Sequence, residues 1–165
     1  MNQLQLFTCL HTPTDVATFT QGLAAVQVGL YHPDTSFAKE VATALAVDLA
    51  KAVLAEASHR NINLEDLKAC RGFCQDLQNE VKKLPVVELA VAFPVKSDFV
   101  RRLATWFTEQ VGPTPLILKV TTRPDILGGV AVLQNGRYHD FTVAMGLKKM
   151  ISEGRLSIGA VIAGG

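Results

Sequence analysis

Apolar residues recur every three or four positions in the first third of the chain, which is the spacing of one buried face of a helix. The first such run predicts a helix over 14–31, with Thr14 as its N-cap and His32-Pro33 at its end. Its inward residues are Val16, Phe19, Leu23, Val26 and Leu30. The same spacing predicts two more helices before residue 85.

The second helix is predicted to begin after Asp34 and to end near Ser58, and the third to begin at Asn63. Asp66 stands where the acidic residue of a capping box would lie. The third helix carries an apolar seam of Leu67, Cys70, Cys74, Leu77, Val81 and Leu84. Since the connections are short, the three helices are predicted to form an antiparallel bundle.

The pattern changes after Pro85. A continuous apolar run over 86–93 is typical of a strand buried on both faces. A helix over 97–111 follows, and then a second strand over 116–120, so the two strands are predicted to lie parallel. The predicted inward residues of this helix are Phe99, Leu103, Phe107 and Val111.

A β-hairpin is predicted after the second strand. Two extended runs, 130–134 and 137–142, are separated by Asn135-Gly136, a dipeptide that favours the type I′ turn. Gly128-Gly129 precedes the hairpin and permits a bend or a close backbone approach. Thr142 is predicted to cap a last helix that covers the sheet through Val143, Leu147 and Met150, with Lys148 and Lys149 in water.

The predicted fold class is therefore α+β, with a helical bundle over 1–84 and a small α/β domain over 85–165 that ends in the hairpin and helix. The tail over 153–165 is rich in glycine, and its pattern leaves open an edge strand or a frayed end.

Net charge, hydropathy and cysteine content argue against several classes of protein for this chain. A net charge of +1 gives no electrostatic reason to expect nucleic acid or anionic membrane as a partner. No apolar run approaches the roughly 20 residues of a membrane span, and the N-terminus does not resemble a secretory signal, so a cytosolic or matrix-facing protein without direct membrane insertion is expected. Three cysteines, an odd number, favour reduced thiols.

The sequence shows no recognisable catalytic, cofactor or metal site. Cys70 and Cys74 fall on the apolar seam, which favours a core role over metal binding. Gly128-Gly129 leads into a strand and fits no phosphate-binding loop. His139 and Asp140 are neighbours in a predicted strand, so their side chains point to opposite faces, and Asp140 is expected instead to bind free N–H groups at the start of the last helix.

One segment resembles a known family. Pro124, Leu127, Gly128 and Gly129 lead into a hairpin that turns at Asn135-Gly136, and Asp140 and Thr142 then open the last helix. This order is similar to the C-terminal end of the delta subunit of F-type ATP synthases, which is called the oligomycin-sensitivity-conferring protein in mitochondria. The resemblance extends over roughly 86–152.

The resemblance implies a non-catalytic stator subunit on the cytoplasmic or matrix face of an energy-transducing membrane. In that family the N-terminal bundle binds the N-terminal extensions of the alpha subunits, and the C-terminal domain binds the C-terminal helices of the b-type stalk subunits. The chain departs from the family in two respects. Ala144, Met145 and Gly146 stand where basic residues are usual, and 1–85 has room for about three or four helices of average length, fewer than the family's bundle.

Under this interpretation, the apolar seams of the helices at 14–31 and 63–84 are expected to leave a groove for one amphipathic helix. The residues predicted to contact partners are Phe19, Leu23, Val26, Leu77, Val81 and Trp106.

Two alternatives remain at the level of sequence. A stand-alone α/β enzyme or ligand-binding domain would place a pocket at the strand ends, near 93–94 and 121–124, with Lys96, Arg123 and Asp125 as its polar residues. An unrelated protein-interaction adaptor would need no such pocket.

Overall fold

A computed structural model describes residues 4–7, 9–32, 34–111, 115–134 and 136–153. These residues form helices first and a four-stranded sheet second, as the predicted α+β class requires. In chain order the elements are α1 Leu4–Phe7, α2 Pro13–Gly29, α3 Phe37–Ala44, α4 Val47–His59, α5 Leu67–Val81, β1 Val86–Val91, α6 Ser97–Val111, β2 Ile117–Thr122, β3 Gly129–Gln134, β4 Arg137–Thr142 and α7 Val143–Ser152. The predicted tail lies outside the described residues from 154 onward.

The chain divides into two compact units. The helical unit contains Met1–Pro85 and Arg101–Ile117, and the sheet unit contains Val86–Val100 and Leu118–Gly165. The predicted division into domains at residues 84 and 85 stays a prediction.

The N-cap of the first long helix, α2, lies two residues before the predicted cap. Thr12 is the N-cap, and its hydroxyl accepts a hydrogen bond from Asp15 N at 3.1 Å. Asp15 Oδ2 accepts one in return from Thr12 N at 3.0 Å, which completes a capping box. Pro13 occupies the first helical position, where its fixed φ and missing N–H are tolerated. Thr14 therefore lies inside the helix, and its predicted capping role was wrong.

The predicted single helix from Asp34 to Ser58 is in fact two helices, α3 and α4. Ser36 caps α3, and Leu45 ends it in an extended conformation. A Cβ atom placed on Gly22 would lie 2.3 Å from Leu45 Cδ2. The missing side chain at Gly22 thus makes room for Leu45, and this tertiary contact overrides the helical propensity of the alanine-rich segment.

The next helix, α5, begins at Leu67 and not at the predicted Asn63. Asp66 is its N-cap, and the carboxylate oxygen Oδ1 accepts hydrogen bonds from the backbone nitrogens of Lys68 and Ala69 at 2.9 and 3.1 Å. The bundle region thus holds five described helices, where about three or four were expected.

The helices pack around one apolar core to which α2 and α5 contribute several fully buried side chains. Both seam cysteines, Cys70 and Cys74, are buried there, which confirms the core interpretation. Burial, and then the neighbouring Cys70, raises the pKa of the Cys74 thiol to about 12. At neutral pH this thiol is therefore protonated and behaves as a small apolar side chain.

A charged cluster links α4 to α5. Arg60 Nε donates to the buried Glu56 Oε1 at 2.7 Å, and its two terminal nitrogens donate to Glu80 at 2.9 and 2.8 Å. The guanidinium carbon also lies 5.6 Å from the centre of the Phe73 ring. The hydrogen bonds to Glu80 raise the pKa of Arg60 further above its usual range, so the cluster stays charged.

The strands of the sheet follow the order β2-β1-β3-β4. Ile117 N donates to Pro85 O at one end of β1 and Arg123 N donates to Val91 O at the other, so β1 and β2 run parallel, as predicted. The pairs β1–β3 and β3–β4 are antiparallel. Burial along β1 alternates, and the prediction of a strand buried on both faces was wrong.

Two helices expose apolar residues that were predicted to face inward. Among the side chains that the structure describes in α6, Val100 and Ala104 are buried, while Phe99 is 47% exposed. Leu103 and Phe107 are half-buried, and the side chain of Val111 lies outside the described part of the chain. Because each residue rotates a helix by about 100°, an error of one position moves the buried face by that angle. In α7, Val143, Leu147 and Met150 are 49%, 37% and 38% exposed, so the prediction that α7 buries them on the sheet was wrong.

Candidate functional site

A surface groove runs along the contact between α2 and α5. The two helices are antiparallel, because Gln78 Nε2 donates to Thr20 O and Arg71 Nη1 donates to Leu30 O. Hydrogen bonds at both ends of the contact thus fix the relative register of the two helices. We call this surface the α2–α5 groove. It is lined by Ala24, Gln27, Val28, Tyr31, Arg71, Gly72 and Gln75, and its volume is about 500 Å³.

The floor of the α2–α5 groove is kept open by small residues. A Cβ atom placed on Gly72 would meet no atom within 4 Å, although the residue lies in the interior of α5. Ala24 is the small residue that α2 contributes to the lining. Side chains this short let the backbone of another helix approach closely. The geometry therefore suits a helical partner, which can fill the groove with its side chains.

Polar contacts fix the end of the groove nearest the C-terminus of α2. The Arg71 guanidinium carbon lies 4.5 Å from the centre of the exposed Tyr31 ring, within cation–π range. Arg71 Nη1 donates to Leu30 O at 3.3 Å, and Gln27 Nε2 donates to Arg71 O at 3.2 Å. A positive charge beside the last carbonyls of α2 also suits the dipole of that helix.

Most of the residues predicted to contact partners are not on this surface. Phe19, Leu23, Val26 and Leu77 have no exposed area, and Val81 is 2% exposed. Their side chains pack in the core of the helical unit, so a partner cannot touch them while this unit stays folded. The sequence placed a groove along the apolar seams of these two helices, and that prediction was wrong, because the seams are buried in the core. The α2–α5 groove is formed instead by smaller and more polar residues beside the seams.

Trp106 is the one predicted contact residue that reaches the surface. It is 52% exposed, and its ring meets that of Phe107 edge to face, with ring centres 5.3 Å apart. Its role as a partner contact stays a prediction.

The predicted family motif shapes the β3–β4–α7 region. Gly128 and Gly129 have φ values of 137° and 85°, which residues with a side chain rarely adopt. A Cβ atom placed on Gly129 would lie 2.4 Å from Phe141 O on the paired strand. Gly136 also has a positive φ, as the predicted turn requires, and Asn135 lies outside the described residues.

The remaining motif residues lie on either side of this corner. Pro124 and Leu127 are exposed in the turn that leads to β3. At the other end, Asp140 Oδ1 accepts from Thr142 N at 2.9 Å, and Thr142 Oγ1 accepts from Met145 N at 3.3 Å. Hydrogen bonding from Thr142 holds the pKa of Asp140 below its ordinary value. The motif thus fixes the start of α7, as the sequence predicted for Asp140 and Thr142.

The motif region also carries a high density of exposed apolar residues. Of the fifteen large apolar side chains that are exposed in the described part of the chain, eight lie between residues 127 and 150. Three of them, Val143, Leu147 and Met150, lie at the i, i+4, i+7 spacing of one helix face. We call these three residues the α7 face. Exposed apolar residues in such number are typical of an interaction surface.

The polar residues of the alternative ligand pocket do not converge. Arg123 and Asp125 form an ion pair with each other in an exposed turn, and Lys96 is exposed as well. Within the described residues, no group of three or more His, Cys, Asp or Glu side chains could hold a metal ion. No helix in that same part of the chain has the length and hydropathy needed to cross a membrane.

Comparison with known proteins adds one match. A protein-family model described as ATP synthase delta (OSCP) subunit matches residues 38–153, which is more than half of the chain. The match includes α3 apart from Phe37, the elements from α4 to α7, and the whole of the motif. No curated protein sequence matches the chain.

Proposed function

Because the chain belongs to the ATP synthase delta (OSCP) subunit family, it is a peripheral-stalk subunit of an F-type ATP synthase, and we propose that it connects the catalytic head to the b-type stalk subunits. The family is structural and is not itself catalytic. The match confirms the resemblance seen in the sequence.

One observation supports a connector in particular: each of the two units has its own uncovered surface suited to a helix. The helical unit has the α2–α5 groove, and the sheet unit has the α7 face. We assign the groove to the N-terminal extension of an alpha subunit and the α7 face to the C-terminal helices of the b-type subunits. In each case the partner is a helix that lays its apolar side on an exposed surface.

The assigned role is mechanical. A stator must hold the head against the torque of the rotor while proton flow drives ATP synthesis. Its contacts with the partner subunits must therefore dissociate slowly, and this role needs no catalytic residue. The chain would act as a peripheral protein on the cytoplasmic or matrix face of the energy-transducing membrane.

Purification of the tagged chain from its native membranes in mild detergent tests this proposal. With the wild-type chain, alpha, beta and b-type subunits should be recovered together. Leu147→Glu adds a charge to the α7 face and should remove the b-type subunits while the alpha subunits remain. Lys148→Gln, one position along the same helix, is the matched control and should retain all of them.

Circular dichroism must show that the Leu147→Glu chain is still folded. If this folded variant still recovers the b-type subunits at the wild-type yield, the α7 face is not the stalk contact. If the wild-type chain recovers no ATP synthase subunit, the connector proposal itself is wrong.

A further inference from the structure

We propose that Arg71 is a specificity residue of the α2–α5 groove and that it binds a carboxylate on the docked helix. This inference rests on the proposed contact with the head and adds the chemistry that the docked helix must carry.

The lining of the α2–α5 groove is mostly uncharged. Among the described residues that line it, Arg71 is the one with a charged side chain, and the rest are apolar, small, amide or phenolic. A guanidinium has five N–H donors, and the Leu30 carbonyl accepts from one of its nitrogens. A half-buried cation with further donors is complementary to a carboxylate, which can accept two parallel hydrogen bonds.

The Arg71 side chain is also held in place before any partner arrives. The guanidinium carbon lies 4.5 Å from the centre of the Tyr31 ring, and the Leu30 carbonyl accepts a hydrogen bond from one of its nitrogens. A side chain fixed in this way loses little conformational entropy when it binds an anion. It therefore favours an acidic partner over an otherwise identical neutral one.

The length of the groove places the carboxylate. The lining extends from Ala24 in α2 to Tyr31, two residues past the end of that helix, which at the helical rise corresponds to about 10 Å, or about two turns. A docked helix would therefore bury apolar residues over two turns, and its acidic residue would lie at the end nearest Arg71 and Tyr31. The partner is thus an amphipathic helix with an Asp or Glu beside its apolar stripe.

A double-mutant cycle tests the proposal. The probe is a synthetic peptide of the N-terminal extension of the alpha subunit from the same organism, together with versions in which each Asp or Glu is changed singly to its amide. Dissociation constants are measured with the full-length wild-type chain and with Arg71→Gln. Lys68→Gln, which removes an exposed positive charge from the same helix outside the groove, is the matched control.

Arg71→Gln and one of the peptide substitutions should each weaken binding about tenfold, the size expected for a charge-assisted hydrogen bond. Together they should also weaken it about tenfold, because both remove the same pair. Arg71→Lys should lie between wild type and Arg71→Gln, since it keeps the charge and loses the two-pronged geometry. Lys68→Gln should bind the peptide as the wild type does.

The cycle separates this inference from the proposed function. If the wild-type chain binds the peptide but every combined effect equals the product of the single effects, Arg71 does not bind a carboxylate, and the inference is wrong while the head contact stands. If the wild-type chain does not bind the peptide at all, the head contact is wrong and the inference falls with it. Thermal melting of Arg71→Gln shows whether a weaker affinity reflects unfolding.

Discussion

Gly72 provides a test in which stability and binding should change in opposite directions. The residue lies in the interior of α5, where glycine is about 0.5–1 kcal/mol less favourable than alanine. An added Cβ atom would meet nothing within 4 Å, so no clash offsets the gain. Gly72→Ala should therefore raise the free energy of unfolding by about 0.5–1 kcal/mol. For a chain of this length, that corresponds to a melting temperature higher by about 1–4 °C.

A longer side chain at the same position should block the groove. Gly72→Gln introduces a good helix former whose side chain fills the space that a partner helix would occupy. We expect this variant to fold with at least wild-type stability and to bind the alpha-subunit peptide at least tenfold more weakly. Calorimetric melting and peptide titration on the same samples measure the two effects.

Gly146 in α7 is the matched control, since a Cβ atom there also meets nothing within 4 Å. Gly146→Ala should stabilise α7 without changing the affinity for the peptide. A folded Gly72→Gln variant with wild-type affinity would refute the assignment of the groove. A lower melting temperature for Gly72→Ala would refute the argument that the space above Gly72 is open.

Three further predictions concern stability. Gly129→Ala should cost about 2 kcal/mol or more of unfolding free energy in urea titrations, because φ is 85° and the new Cβ atom would strike the backbone of β4. Arg60→Ala should cost about 3 kcal/mol by leaving the carboxylate of Glu56 buried without its partner, and adding Glu56→Gln should recover part of that loss. Asp140→Ala should destabilise the chain at neutral pH and lose its effect in acid. The folded-state pKa of Asp140 is lowered by Thr142, so its contribution is present above the unfolded-state pKa of about 3.9 and disappears as the pH falls through the folded-state value.

The sequence correctly predicted two turns and a helix cap that depend on the backbone preferences of single residues. The turn at Gly136, the Gly128-Gly129 corner and the cap at Thr142 each follow from backbone preferences of single residues. The break after α3 could not be predicted in this way, because it depends on Leu45 packing over Gly22, far away in sequence. Tertiary contacts of this kind override propensity.

The predicted partner-binding residues show a second limit of prediction from sequence. Apolar periodicity identifies side chains that avoid water, but it does not say whether the chain itself or a partner covers them. Phe19 and Leu77 are covered by their own chain. The groove surface of the same helices is marked by Ala24, Gly72 and Gln75, which carry no hydrophobic signal and become recognisable as a site once the two helices are seen side by side.

Cross-linking mass spectrometry on the intact ATP synthase can show which subunit lies beside each of the two proposed contacts. The chain has native lysines close to both proposed contacts: Lys68 lies about one turn before Gly72 on α5, and Lys148 and Lys149 lie on α7. The connector proposal predicts that an amine-reactive reagent links Lys68 to an alpha subunit and the two α7 lysines to a b-type subunit. Links from Lys68 to a b-type subunit and from α7 to an alpha subunit would contradict the assignment, and links from neither site to either subunit would contradict the connector proposal.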